Sequence, residues 1–180
     1  MSAETDIAII KLPNVRLSFP RLFQPHAVEE GQTPKYSASF LLDNEKHAAL
    51  IKHIEKTIER LALDHWKKKI PFKTCLHDGN EKADKEGYGD GVSYINASRT
   101  TRPAVVDRQV SPLTEEDGVI YAGCYVNATI RLWVQDNKYG KRVNAELRAV
   151  QFFKDGESFG AGPVKAEDEF EVVADDVDGY

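Results

Sequence analysis

A mainly β fold with one long helix, an α+β arrangement, is predicted by three features of the sequence. The first is residues 121–153, YAGCYVNATIRLWVQDNKYGKRVNAELRAVQFF. Even positions from Ala122 to Val134 are small or apolar, whereas the odd ones are Tyr121, Gly123, Tyr125, Asn127, Thr129, Arg131 and Trp133. After a polar turn over 135–142, Val143, Ala145, Leu147 and Ala149 alternate with Asn144, Glu146 and Arg148. Period-two alternation on both sides of a turn predicts two long antiparallel strands, half-buried and joined by a basic loop. The second feature is a stripe of Ile51, Ile54, Ile58, Leu61, Ala62 and Trp66 at three- and four-residue steps, which predicts an amphipathic helix over about 45–68. The third is a set of shorter alternating segments at 7–19, 35–42 and 92–99, bounded by proline, glycine and Asp-Asn.

In chain order, Val15, Leu17 and Phe19 share the apolar side of the first strand, with Asn14, Arg16 and Ser18 on the polar side. Pro13 marks a break or an edge position, and Pro20, Pro25 and Pro34 punctuate a following loop. In the second strand Tyr36, Ala38, Phe40 and Leu42 share one face. Asp43 or Asn44 suits a helix N-cap. The helix closes on Lys67, Lys68 and Lys69, which complement the negative end of its dipole or extend a phosphate-binding surface, and Pro71 stops it. Residues 74–91, polar and glycine-bearing, read as a long mobile loop in which Tyr88 is flanked by two glycines. Residues 92–99 form a further strand with Arg99 and Arg102 at its end, and 104–106 is a short apolar segment. Beyond Ala149 the apolar positions shift to Val150 and Phe152, which predicts a bulge.

Five short-to-medium antiparallel strands with an inserted helix fit a five-stranded Greek-key β-barrel of the OB-fold type; a β-sandwich with an insert is the competing architecture. The 180 residues support one domain, taken as 1–164, followed by an acidic tail at 165–180. The tail carries seven acidic residues and one lysine, so the net charge of −5 leaves a body of 23 basic and 22 acidic residues. A near-neutral body can still hold a basic groove, because distribution matters more than the sum. No apolar run reaches the ~20 residues needed to span a bilayer. The acidic N-terminus is unlike a secretory signal, and two cysteines in separate elements fit a reducing cytoplasm.

No catalytic pattern stands out. There is no nucleophile elbow, no HExxH, and no second ligand pair for Cys75 and His77 at zinc spacing. Asp107, Asp136 and Asp155 sit where turns are expected, and turn formation is their simpler reading. The expectation is a non-enzyme with neither cofactor nor metal. The exposed side of the long hairpin instead predicts a surface for nucleic acid. Tyr125 and Trp133 are set to stack bases, Arg16, Arg131 and Arg148 to line the sheet, and Lys138, Tyr139, Lys141 and Arg142 to form a basic tip. Arg99 and Arg102 are further candidates, as are Tyr88, Tyr94 and the triple lysine. The bland reading of the aromatics is burial against the helix or a second sheet.

Several blocks resemble a phage-encoded single-stranded DNA-binding protein family: RLSFPRLFQP at 16–25, RPAVVD at 102–107, YAGCYVNA at 121–128 and LRAVQFFKDGESFGAG at 147–162. The resemblance spans about residues 10–162. It implies an OB-fold, sequence-nonspecific protection and organisation of single-stranded DNA, and a role in phage replication or recombination in the host cytoplasm. The tail is similar to those of other phage single-strand binders. Asp175, Asp176, Asp178 and the terminal Tyr180 are its predicted contacts for replication or recombination proteins, and competition with DNA for the basic groove is its second predicted role. A homodimer is compatible with the sequence. A protein-interaction module and a strand-annealing protein are the rival functions.

Overall fold

The computed structural model describes residues 8–160 and 166–174. Its strands are β1 (Ile9–His26), β2 (Lys35–Asp43), β3 (Lys73–Thr74), β4 (Leu76–Asp78), β5 (Val92–Arg99), β6 (Ala104–Val106), β7 (Tyr125–Asn137) and β8 (Gly140–Lys154). Helix α1 (Ala48–Trp66) lies between β2 and β3 in the chain, and a short helix α2 (Ala166–Glu169) follows the strands. β7, β1, β2 and β5 pair side by side in antiparallel fashion, β8 pairs with β7, and a parallel contact of β5 with β8 at Ser98–Glu146 closes the ring. The result is the predicted closed five-stranded barrel with an inserted helix.

Alternation explains the core. Leu12, Val15 and Leu17 from β1, Phe40 and Leu42 from β2, and Ile95 from β5 meet Val126, Ile130, Leu132, Val143 and Leu147 from the long hairpin. Ile54, Ile58 and Ala62 carry the apolar stripe of α1 into the same cluster. The helix begins at Ala48, three residues later than the stripe suggested. Asp43 accepts from the backbone N–H of Glu45 and Lys46 and so holds the turn that precedes it. At the other end Lys67 adopts a left-handed conformation and donates its N–H to Leu63 O.

Three expectations are corrected. β1 does not end at Phe19; it runs to His26, with irregular register against β2 between Ser18 and Arg21 and again before His26. Extra residues at such bulges let a strand paired on both sides carry prolines and change which face a side chain takes. Phe19 accordingly leaves the core, and Leu22 enters it. The stretch 74–91 is not a free loop. β4 pairs with β5, a 3-10 turn spans Gly79–Lys82, and Asp78 accepts from Asn80 N at its start. β7 starts at Tyr125, three residues after the alternation begins. The expected bulge is present: Thr129 faces Ala149 while Ile130 faces Leu147, so Arg148 is the extra residue. No helix of the described residues is long and apolar enough to cross a membrane.

Candidate nucleic-acid interface

Register alone brings polar and aromatic side chains together on the outside of the barrel. Across β1, β2, β5 and β4 it aligns Arg16 with Leu41, Tyr94 and His77, and Ser18 with Ser39 and Asn96. Tyr94 lies on this outer face yet is only 3% exposed. His77 stacks on it at 4.9 Å and 22°, and Tyr88 meets it edge-on at 5.1 Å. The Tyr88 hydroxyl donates to Ser18 Oγ at 3.1 Å, which fixes a ring that the sequence alone left free to swing. Lys82 Nζ stands 5.1 Å from the Tyr94 ring centroid, 5.8 Å from Tyr88 and 5.7 Å from Phe19, so one ammonium serves three rings.

Phe19 completes the cluster, 6.2 Å from Tyr88, and it is 50% exposed. Its φ is +46°, a region in which a bulky residue is a genuine outlier. A strained backbone that presents a large apolar ring to solvent is the kind of local cost that function explains better than packing does. Glu81 lies at the edge of the same platform. Its Oε2 accepts from the Tyr94 hydroxyl at 3.3 Å and sits 3.4 Å from His77 Nδ1. Burial, then the neighbouring Glu81, push the Tyr94 hydroxyl up to about 12. Burial also holds His77 below the ordinary histidine value, outweighing the opposite pull of Glu81. The ring is therefore neutral at pH 7.

A second region lies at the β7–β8 hairpin. Pro71, Phe72, Lys73, Tyr139, Gly140, Lys141 and Arg142 line an open cleft of about 500 Å³. Trp66, at the end of α1, donates Nε1–H to Asp136 Oδ2 at 2.8 Å and packs on Phe72 at 5.5 Å; His65 Nε2 lies 3.2 Å from the same carboxylate oxygen. These bonds, Trp66 first, hold the Asp136 carboxyl below its usual range and tie the helix to the hairpin. β3 then carries Lys73 alongside Arg142, and His77 feels the charges of both Arg142 and Lys82. The cleft and the aromatic platform are thus neighbours, bridged by residues 73–82.

The predicted site residues fall into separate groups. Trp133, 39% exposed, faces Asn144, and Arg131 faces Glu146, both on the outside of β7 and β8. Lys138 and Lys141 are exposed, and Tyr139, 76% exposed, stands at the tip with Lys138 Nζ 5.1 Å from its ring. Arg142 lines the cleft. Arg148 is the half-buried bulge residue of β8. Arg99 pairs with Tyr36 at the end of β5, and Arg102 lies 5.7 Å from the Phe23 ring.

Arg16 and Tyr125 also take part in packing. The Arg16 guanidinium donates to Gly123 O at 3.0 Å and to Glu157 O at 2.7 Å, and it packs 4.4 Å from the Phe159 ring and 5.6 Å from Tyr125. This is a clamp that straps the segment after β8 across the barrel. Gly123 and Gly156 permit the close approach: a Cβ at Gly123 would run into Glu157 O, and one at Gly156 would lie 2.9 Å from the Tyr125 ring. Asp175, Asp176, Asp178 and Tyr180 lie outside the described residues. Among the described residues, no three His, Cys, Asp or Glu side chains gather as they would to hold a metal ion.

Sequence reasoning did not offer Phe19, His77, Glu81 or Lys82 as nucleic-acid contacts. The signals were present but weak. A GYGDG run at 87–91 sets an aromatic between glycines, and Phe19-Pro20 interrupts a strand just where its alternation would otherwise continue. Gly87, with φ +84°, leaves room for Phe159, whose ring would lie 2.5 Å from a Cβ there.

Comparisons with known proteins agree with this fold. A protein-family model described as Enterobacter phage Enc34, ssDNA-binding protein, matches residues 8–179. A protein of Acyrthosiphon pisum secondary endosymbiont phage 1, "Putative protein p50", is 43% identical over 176 residues, covering 92% of this chain and 94% of its own. The single-stranded DNA-binding protein from bacteriophage Enc34, solved in complex with ssDNA, superposes with a TM-score of 0.77 at 35% identity, over 89% of this chain and 96% of that one. The single-stranded DNA-binding protein gp2.5 of bacteriophage T7 has the same fold, with a TM-score of 0.60 at 14% identity over 92% of this chain and 98% of that one. The match along nearly the whole chain places this protein in the Enc34 single-stranded DNA-binding protein family.

Proposed function

We propose that this protein binds single-stranded DNA with little regard to sequence, protecting and organising it during phage DNA replication or recombination in the host cytoplasm. The observation that carries the reading is an outward set of rings and cations. It comprises Trp133 on β7, Arg142 and Lys73 in the hairpin cleft, and His77, Tyr88, Lys82 and Phe19. Cations tracking a phosphate backbone and rings stacking on successive bases are the two components of sequence-tolerant single-strand binding. Lys138, Tyr139 and Lys141 extend the set at the hairpin tip. Arg131, Arg148, Arg99 and Arg102 are accessory phosphate contacts, and Arg16 with Tyr125 anchors the strap on the same outer face. The OB domain is assigned to 1–164. Residues 165–180 are a tail that engages replication or recombination proteins through Asp175, Asp176, Asp178 and Tyr180 and competes with DNA for these rings and cations.

Titration of the full chain with oligo-dT at low salt tests this directly, because Trp133 belongs to the set and Trp66 lies beneath its cleft. Intrinsic fluorescence should be quenched, Trp133→Ala should weaken binding without unfolding the domain, and no binding at low salt would refute the reading. Loss of folding in Trp133→Ala would assign that ring to packing instead.

A further inference from the structure

A carboxylate is an unexpected neighbour for a surface that receives polyphosphate. Glu81 stands beside Tyr94, one of the three rings that share Lys82, and its side chain is 57% exposed. It is held in place at one oxygen only. Oε2 accepts from the Tyr94 hydroxyl and faces His77 Nδ1, while among the described residues no donor reaches Oε1. The His77 ring is itself fixed between Tyr94 and solvent, with one face stacked on Tyr94 at 4.9 Å. A base stacked on the outer face of His77 would therefore bring its edge beside a positioned acceptor that cannot donate.

From this arrangement we infer that Glu81 reads bases: its carboxylate accepts a hydrogen bond from the exocyclic amine of cytosine or adenine and disfavours thymine, which offers a carbonyl at the equivalent position. The inference rests on the proposed placement of DNA over the Phe19–Tyr88–His77 platform. Acceptance from the cytosine N4 amine by a carboxylate is an established recognition chemistry. Stacking-based binders usually derive their mild preferences from stacking strength and backbone flexibility, so a hydrogen-bonding element inside the platform makes a distinct prediction. Carboxylate against carbonyl is repulsive, and an ionised acceptor makes roughly twice the bond of a neutral one. Only one or two nucleotides of a bound oligomer sit at His77, so the whole-oligomer effect is modest.

The experiment compares oligo-dC with oligo-dT, ~8 nucleotides long to match an OB-fold site, at pH 8 where cytosine is unprotonated. Wild-type protein and Glu81→Gln are measured by fluorescence anisotropy. Gln keeps an acceptor for the Tyr94 hydroxyl but can also donate. The ratio Kd(dT)/Kd(dC) should fall roughly three- to tenfold in Glu81→Gln, about the size of one ordinary hydrogen bond, since water at this exposed site removes much of the charge assistance, while total affinity holds or rises. Comparing ratios cancels the intrinsic stacking difference between the two oligomers. A second arm leaves the protein untouched: oligomers of N4,N4-dimethylcytosine, which lack the donor, should lose the wild-type advantage of dC over dT. A ratio that Glu81→Gln moves by less than twofold, or an advantage that survives dimethylation, would overturn the inference. Phe19→Ala and Lys82→Ala separate the two levels of the claim. If they weaken both oligomers equally while Glu81→Gln leaves the ratio unchanged, base reading alone fails; if they weaken neither, the platform itself is misplaced.

Discussion

Phe19 permits a test in which affinity and stability should part company. Its ring is 50% exposed, so about half of the roughly 1.5–3 kcal/mol of a fully buried Phe is at stake on removing it. Its φ of +46° carries a left-handed penalty of about 1–2 kcal/mol, which glycine does not incur. In Phe19→Gly these two effects oppose each other and leave the folding free energy within about 1 kcal/mol of wild type, allowing for the added freedom of the unfolded chain. DNA binding has no such compensation. Loss of one stacking ring costs about 1–3 kcal/mol, a five- to 150-fold rise in Kd. Urea denaturation followed by tryptophan emission, paired with anisotropy titration of oligo-dT, measures both. A variant that keeps its affinity within threefold would show that Phe19 stacks no base. A variant that unfolds would show that the ring is a packing element and that its strain has a structural cause.

Four further outcomes follow from the same surface. Alanine at Lys138, Lys141 or Arg142 should lower affinity for every oligonucleotide and reduce the slope of log K against log[salt] by about 0.7 for each phosphate no longer neutralised; an unchanged slope places that residue off the DNA path. His77 is held neutral by burial, so its folded value lies below the unfolded one. Stability from this group is complete above about pH 6.5 and declines as pH falls toward the folded value. His77→Gln should flatten that part of a denaturation-midpoint profile, whereas DNA affinity of the wild type should rise with acidity as a protonated ring meets phosphate. Deleting 165–180 should tighten oligo-dT binding by removing a competing polyanion, and unchanged or weaker affinity would exclude self-competition. Asp136→Ala removes the acceptor of Trp66 Nε1 at 2.8 Å, and it should red-shift Trp66 emission and loosen the hairpin, lowering affinity without abolishing it.

How much of this was legible in the sequence depended on whether a residue obeyed a period. Val126, Ala128, Ile130 and Leu132 obey period two for so long that strand, core face and pairing partner all followed, and even the bulge at Arg148 announced itself as a slip of the pattern. The helix stripe was equally plain because Ile54, Ile58 and Ala62 recur on one side of a single cylinder. The aromatic platform obeys no period. Phe19 comes from a bulge where β1 changes register, Tyr88 from between glycines, Lys82 and Glu81 from a 3-10 turn, and His77 from a three-residue strand. Each looked like local irregularity, and only the closing of β5 on β2 and β4 brings them within ring-stacking distance. Trp133 and the hairpin tip were readable because they lie on the periodic element.

The segment after β8 explains why the most recognisable block of the chain speaks for the fold. In DGESFG, Asp155 accepts from the Tyr121 hydroxyl, Glu157 O accepts from Arg16, Phe159 N donates to Ala122 O, and Gly160 N donates to Glu86. Phe159 then fills the space that Gly87 leaves, one residue before Tyr88. YAGC and DGESFG are therefore two halves of one strap, and their small residues are fixed by close approach rather than by contact with a ligand. The strap still bears on function, because its far end braces the loop that carries Tyr88. It also brings Gly160 to Glu86, beside the platform. On the proposal that the tail competes with DNA, tethering near Gly160 would raise its effective concentration at the platform, which the deletion of 165–180 tests.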